Sequence, residues 1–94
     1  PTVAALAQVY ASAGDTARGD EVLQSYLASR GSEATIEDHQ TLARYRVVTG
    51  NIDGAVAAYD AARAMEDPKE RPVTREVADL LFARNLPDRA LPFY

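Results

Sequence analysis

The chain has 94 residues, 47% of them hydrophobic and 26% charged, which fits one small folded domain and excludes a disordered segment. It has no cysteine, so disulfides and thiolate metal sites are excluded as sources of stability. The net charge of −4 disfavours a surface that binds nucleic acid by neutralising phosphates.

The first 34 residues predict two helices joined by a tight turn. The first helix is expected over about 2–13 and the second over about 16–29. Gly14 and Asp15 stand between them, and glycine adopts the left-handed conformation that ends many helices at little cost. This segment is the first of three similar units, with approximate bounds 1–34, 35–69 and 70–94.

The second unit has the clearest helix signals. Thr35 followed by Asp38 is a variant of the capping box, and it predicts a helix start at about residue 36. Gly50 ends that helix near residue 49, and the next helix is expected over about 52–66. Pro68 then stops the second helix.

The third unit follows a short polar connector and is predicted to be truncated. Its helices are expected over about 73–84 and from 87 onward. Asn85 replaces glycine at the turn, and Pro87 suits a first helical turn. We expect the chain to be a piece of a longer protein, and its apolar C-terminal edge, around Leu91, Phe93 and Tyr94, to support self-association.

The three units are internal repeats. Leu6 begins "LAQVYASAGDTARGDEVLQSYL", and 36 residues later Leu42 begins "LARYRVVTGNIDGAVAAYDAAR". A third copy, "VADLLFARNLPDRALPFY", starts at Val77 with an offset of 35 residues. Helical hairpins that recur at such a period predict a single all-α domain in which the hairpins stack in a row.

These residues resemble the tetratricopeptide repeat. The resemblance is carried by Leu6-Ala7, Tyr10, Gly14-Asp15, Leu23, Leu42-Ala43, Gly50-Asn51, Ala55, Tyr59, Ala62, Ala78, Leu81, Ala90 and Tyr94. It implies an α-solenoid of antiparallel helix-turn-helix units wound into a right-handed superhelix. Gly19 departs from the pattern where a packing alanine is usual, and Arg46 departs where a tyrosine is expected. Tyr45 can take the role of that tyrosine.

The resemblance also implies a concave groove lined by the first helix of each unit. The predicted lining consists of Ala4, Gln8, Ala11, Gln40, Arg44, Val47, Arg75, Asp79 and Phe82. Apart from the small alanines, these side chains suit a protein or peptide partner, with Phe82 as an apolar anchor. The alternative is that they are solvated surface. A clamp for a peptide C-terminus is disfavoured, because Glu76 occupies one of the positions that would need a cation.

No constellation of residues predicts catalysis, a metal or a cofactor. His39 is the only histidine, and a structural position in a first helical turn explains it better than ligation does. The serines lack a neighbouring base, and the glycines form no phosphate-binding loop.

The sequence therefore predicts a non-enzymatic protein–protein interaction scaffold. Arg supplies 9 of the 10 basic residues, a composition typical of high-GC bacteria. In its composition rich in Ala, Arg and Asp, the chain resembles the repeat scaffolds of bacterial exopolysaccharide secretion. That reading implies a periplasmic location and a membrane-anchored parent, although a cytoplasmic location stays open. Two alternatives stay open as well: a regulatory module that binds a signalling peptide, and an RNA binder of the pentatricopeptide type, which the acidic charge disfavours.

Overall fold

The computed structural model describes residues 2–93, and their regular structure is entirely helical, which confirms the prediction of an all-α fold. Two short 3₁₀ turns cover Gly31–Glu33 and Leu91–Phe93. The α-helices of the described chain are α1 (Val3–Ser12), α2 (Thr16–Arg30), α3 (Ile36–Val48), α4 (Ile52–Arg63), α5 (Pro72–Ala83) and α6 (Pro87–Ala90).

The turns inside the three hairpins have the predicted backbone. Gly14 and Gly50 both have φ of +87°, and Asn85 takes the same left-handed role with φ of +64°. The predicted capping box is also present, because Thr35 accepts from the Asp38 backbone while the Asp38 side chain accepts from Thr35. Local chemistry therefore sets where these helices begin and end.

Two helix ends differ from the prediction. Helix α4 ends at Arg63 and not near residue 66, and the Glu66 carboxylate instead accepts hydrogen bonds from the Val73 and Thr74 backbones at the start of α5. Helix α6 has only four residues and continues as the 3₁₀ turn Leu91–Phe93, where Pro92 has no N–H to donate to a helical hydrogen bond. Tyr94 lies outside the described residues.

The hairpins pack in the order of the chain. Each pair α1/α2, α3/α4 and α5/α6 is in close contact, and α2 meets α3 as α4 meets α5. The described chain measures 35 × 31 × 17 Å, and its largest fully buried side chains are Tyr59, Leu81, Val73 and Val77. Within residues 2–93 no helix has both the length and the apolar character to cross a membrane.

Candidate functional site

A cleft lies between α1 and α3, with α2 as its floor; we call it the α1–α3 cleft. One part has a volume of about 200 Å³, and an adjoining part of about 380 Å³ shares Ala4, Leu23 and Thr41 with it. The full lining is Thr2, Val3, Ala4, Gln8, Leu23, Tyr26, Asp38, Thr41, Arg44, Tyr45 and Val48.

Helical spacing puts the α3 side of this cleft on one face. Thr41, Arg44 and Val48 follow one another at intervals of three and four residues, which places them on the same side of a helix. Leu23 is only 3% exposed at the floor, whereas Val48 is 69% exposed at the rim. The cleft therefore combines a closed apolar base with an accessible apolar edge.

Tyr45 joins the first two hairpins behind the cleft. Its side chain is 4% exposed, and its hydroxyl donates to the Thr16 carbonyl oxygen at 2.7 Å. Burial raises the pKa of Tyr45, so the hydroxyl stays protonated as a donor. A Cβ at Gly19 would collide with that hydroxyl and stand 2.8 Å from the Ala7 carbonyl oxygen. Gly19 thus departs from the repeat pattern because the tyrosine ring needs its space.

Arg46 forms the second link between these hairpins. Its guanidinium donates to both Asp20 oxygens, at 2.8 and 3.0 Å, and to the Gly54 carbonyl at 2.9 Å. The paired side chains are 15% and 16% exposed, and the hydrogen bond from Arg46 lowers the pKa of Asp20. The residue that replaces the expected tyrosine therefore has its own partly buried partner, Asp20.

Glu76 organises the side of α3 that faces α5. It accepts from Gln40 at 3.2 Å, from Arg44 at 2.7 and 3.1 Å, and from the buried Tyr59 hydroxyl. Burial alone would raise the pKa of Glu76, but the hydrogen bonds from Arg44, Tyr59 and Gln40 outweigh it and lower that pKa. Burial and the bond to Glu76 raise the pKa of Tyr59. The sequence pattern did not predict this network.

A signal for the network was present in the sequence. Gln40 and Glu76 are 36 residues apart, one more than the offset of 35 between the second and third units, so Glu76 directly follows Arg75, the residue that matches Gln40. The offset therefore predicts that Gln40 and Glu76 lie on neighbouring helices at about the same level, but not that they bind each other. The sequence pattern predicts that Glu76 repels a carboxylate ligand, whereas the structure shows its charge matched by Arg44.

The predicted groove residues of α1 and α3 lie in different surroundings. Gln8 and Arg44 line the α1–α3 cleft, and Gln40 binds Glu76. The placement of Val47 on the groove face was wrong: Val47 is 6% exposed within the core, and the next residue, Val48, presents the accessible side chain. A shift of one residue turns a helical side chain by about 100°.

The predicted groove residues of α5 form a separate exposed face. Arg75, Asp79 and Phe82 are all exposed and lie at intervals of four and three residues. The Arg75 guanidinium donates to the Glu70 carbonyl oxygen at 2.8 Å and lines a different cavity of about 310 Å³ beside Phe93. Arg44 and Arg75 therefore do not share a cavity.

The described part of the chain has no cluster of three or more side chains suited to hold a metal ion. His39 is half-buried in the first turn of α3.

Comparison with known proteins gives no relative: no family model matches the chain, and no curated protein or solved structure matches it significantly.

Proposed function

We propose that this chain is a non-enzymatic interaction module of the tetratricopeptide type, and that it binds an uncharged, extended segment of a partner protein in the α1–α3 cleft. The observation that carries the proposal is the chemistry of the cleft lining. Apolar side chains and neutral hydrogen-bonding groups surround the space, while its charged side chains already have partners within the chain.

The charges of the cleft are matched internally. The Asp38 carboxylate lies 2.9 Å from Arg30, and the Arg44 guanidinium lies 2.7 Å from Glu76. A charged ligand would have to break one of these pairs and would leave a partly buried charge without a partner, which is costly. The remaining polar groups, such as the Gln8 amide, can bind a peptide backbone without a charge penalty.

The length of the cleft fits an extended peptide. Its α3 side runs from Asp38 to Val48, and at 1.5 Å per residue this wall is about 15 Å long. A strand rises about 3.3 Å per residue, so the cleft accommodates about four or five residues of a partner. Val48 at the rim and Leu23 at the floor offer contact to apolar side chains of that segment.

The exposed face of α5 is a second contact surface in this proposal. Phe82 is 62% exposed and lies on the same face as Arg75 and Asp79. An exposed aromatic side chain beside charged neighbours is typical of a contact that anchors a partner. A partner that fills the cleft and continues across the chain would meet this surface.

The wider setting belongs to the same proposal. The repeat offsets of 36 and 35 residues support a right-handed superhelix and a longer array of such units. The arginine-rich bacterial composition supports a role as a scaffold in exopolysaccharide secretion, in the periplasm and as part of a membrane-anchored parent. These inferences come from the sequence pattern.

The test is a selection of peptides followed by binding measurements. Twelve-residue peptides would be selected from a random displayed library on the purified chain, synthesised, labelled and titrated by fluorescence anisotropy. We expect uncharged peptides with dissociation constants in the micromolar range, about 10-fold weaker binding to Val48→Lys, and no change for Met65→Lys. Met65 is the matched control because it is 47% exposed and lies outside the cleft lining.

Three results would contradict the proposal in distinct ways. Peptides that bind Val48→Lys as well as the wild type would place the contact elsewhere. Acidic peptides whose binding is lost in Arg44→Ala would favour the regulatory alternative, in which the ligand takes Arg44 from Glu76. Saturable binding of poly-U that weakens steeply with salt would favour the RNA alternative.

A further inference from the structure

Arg44 takes part in two features of the molecule. It lines the α1–α3 cleft together with Gln8 and Val48, and its side chain is 58% exposed. Its guanidinium is also bound by Glu76 of α5, a residue that lies outside the cleft lining. The charge that a ligand meets at Arg44 therefore depends on a residue that the ligand does not touch.

The Glu76 carboxylate is held in place by more than Arg44. Its Oε1 accepts from the Gln40 amide at 3.2 Å and from Nη2 of Arg44 at 2.7 Å. Its Oε2 accepts from Nε of Arg44 at 3.1 Å and from the hydroxyl of Tyr59, which is 1% exposed. If Glu76 turned away from Arg44, the buried Tyr59 hydroxyl would lose its acceptor, which is costly. The counter-ion of Arg44 is therefore fixed by the packing of α5 on α3 and α4.

The two charged residues of the described cleft lining have separate surroundings. Asp38 and Arg44 stand six residues apart on α3, which is about 9 Å along the helix. Asp38 pairs with Arg30 at 2.9 Å and accepts from the Thr35 backbone at the start of α3. The charge preference at the Val48 end of the cleft therefore depends on Arg44 and its counter-ion.

We propose that Glu76 determines the charge preference of the α1–α3 cleft. Its carboxylate neutralises Arg44 from outside the cleft, so an uncharged segment binds there and an acidic segment gains no attraction from Arg44. Glu76 is a positioning residue, since it acts on the ligand only through Arg44. Without the charge of Glu76, the guanidinium of Arg44 would bind an Asp or Glu side chain of a partner, because a carboxylate matches its fork of donors. This inference rests on the proposed function, because it concerns the ligand of the same cleft.

Parallel selections on charge-matched variants test this role. The random twelve-residue library would be selected on the wild type, on Glu76→Gln and on Asp53→Asn. Glu76→Gln removes the charge but keeps the size of the side chain and one acceptor oxygen. Asp53→Asn makes the same change in net charge at an 89% exposed residue that pairs with Arg89 outside the cleft lining. We expect acidic residues to be enriched only among the peptides selected on Glu76→Gln.

Titrations of matched peptides measure the size of the effect. An acidic peptide selected on Glu76→Gln and its counterpart with glutamine in place of glutamate would be titrated by fluorescence anisotropy. The acidic peptide should bind Glu76→Gln about 10-fold more tightly than it binds the wild type, and added salt should weaken this binding. The affinity of the neutral counterpart should change by less than about threefold. The gain should disappear in the double variant Arg44→Ala/Glu76→Gln, and circular dichroism would verify that each variant keeps its helix content.

The possible outcomes separate this inference from the proposed function. Uncharged peptides that bind the wild type in the cleft, with no gain of acidic peptides on Glu76→Gln, would overturn the role of Glu76 and leave the proposed function standing. An equal gain of acidic peptides on Asp53→Asn would show an effect of net charge and would also overturn that role. So would a Glu76→Gln variant that loses both classes of peptide, since its role would then be structural.

The opposite separation is also possible. A wild type that selects no peptide, beside a Glu76→Gln variant that selects acidic peptides through Arg44, would overturn the proposed function and support the role of Glu76. If neither protein selects a peptide, both proposals are overturned.

Discussion

Neighbouring hairpins contact each other at two joints, one between α2 and α3 and one between α4 and α5, and the two joints differ in their chemistry. Between α2 and α3, the buried Tyr45 hydroxyl binds a backbone carbonyl and the Arg46 guanidinium binds Asp20. Between α4 and α5, Val77 and Leu81 are fully buried. Polar contacts accompany them, because the Tyr59 hydroxyl donates to Glu76 and the Arg63 guanidinium donates to the buried Thr74 hydroxyl. The repeat pattern therefore predicts which helices pack together, whereas the individual residues at each joint determine whether hydrogen bonds, ion pairs or apolar contacts stabilise the packing.

The difference has a physical consequence for specificity. Apolar contacts are non-directional, so the second joint depends on the area and shape that it buries. The first joint depends on hydrogen-bond geometry, and each of its polar groups would be costly if left without its partner. We expect the apolar joint to contribute more stability and the polar joint to tolerate fewer substitutions.

The largest expected effect comes from opening the apolar joint. Leu81 is 0% exposed, and Leu81→Ala should lower the free energy of unfolding by about 3 kcal/mol, because it removes buried methyl groups and leaves a cavity. Urea denaturation followed by circular dichroism measures the change. Met65→Ala removes a 47% exposed side chain and should shift the free energy by less than about 0.5 kcal/mol. Equal losses in the two variants would show that this joint is not tightly packed.

A smaller effect is expected from crowding the polar joint. Gly19→Ala improves helix propensity but forces Tyr45 away from its place, and we expect a net loss of about 2 kcal/mol in the same denaturation measurement. Tyr45→Phe removes the hydroxyl that meets the new methyl group. The double variant should therefore cost less than the sum of the single variants. Strict additivity would mean that Gly19 does not make room for Tyr45.

The smallest effect is a dependence on pH at the margin of the apolar joint. In the folded chain the pKa of Glu76 is below its ordinary value of 4.5. The Glu76 carboxylate therefore contributes its full stabilisation when the pH is above 4.5. That contribution is lost as the pH falls through the lowered pKa. Glu76→Gln should lower the free energy of unfolding by about 1 kcal/mol at pH 7. The difference in this free energy between the variant and the wild type should shrink towards about pH 3, as measured by urea denaturation at each pH.

An exposed ion pair provides the control for the pH measurement. Asp53 pairs with Arg89, and its side chain is 89% exposed. Because exposed pairs contribute little, Asp53→Asn should stay within about 0.5 kcal/mol of the wild type across the same pH range. A Glu76→Gln deficit that is constant with pH would contradict a role for its charge.

The sequence by itself determined the elements whose causes are local. The three turns were predictable from Gly14, Gly50 and Asn85, because few residues adopt a left-handed backbone. A helix start was predictable from Thr35 and Asp38, because each of them caps the backbone of the other. The repeat offset indicated which positions of the three units correspond to one another. Of the predicted site residues, Gln8 and Arg44 lie in the cleft because helical spacing reports the face of a helix.

The burial and the interaction partners of these side chains were decided only by the tertiary structure. Val47 is buried and Val48 is exposed because the rotation of α3 depends on helices that are distant in sequence. Glu76 binds Arg44, and Arg46 binds Asp20, because stacking brings together residues 32 and 26 positions apart. Periodicity fixes the spacing of residues along one helix, but the partner of a charged side chain depends on the distance to its neighbours in the packed fold.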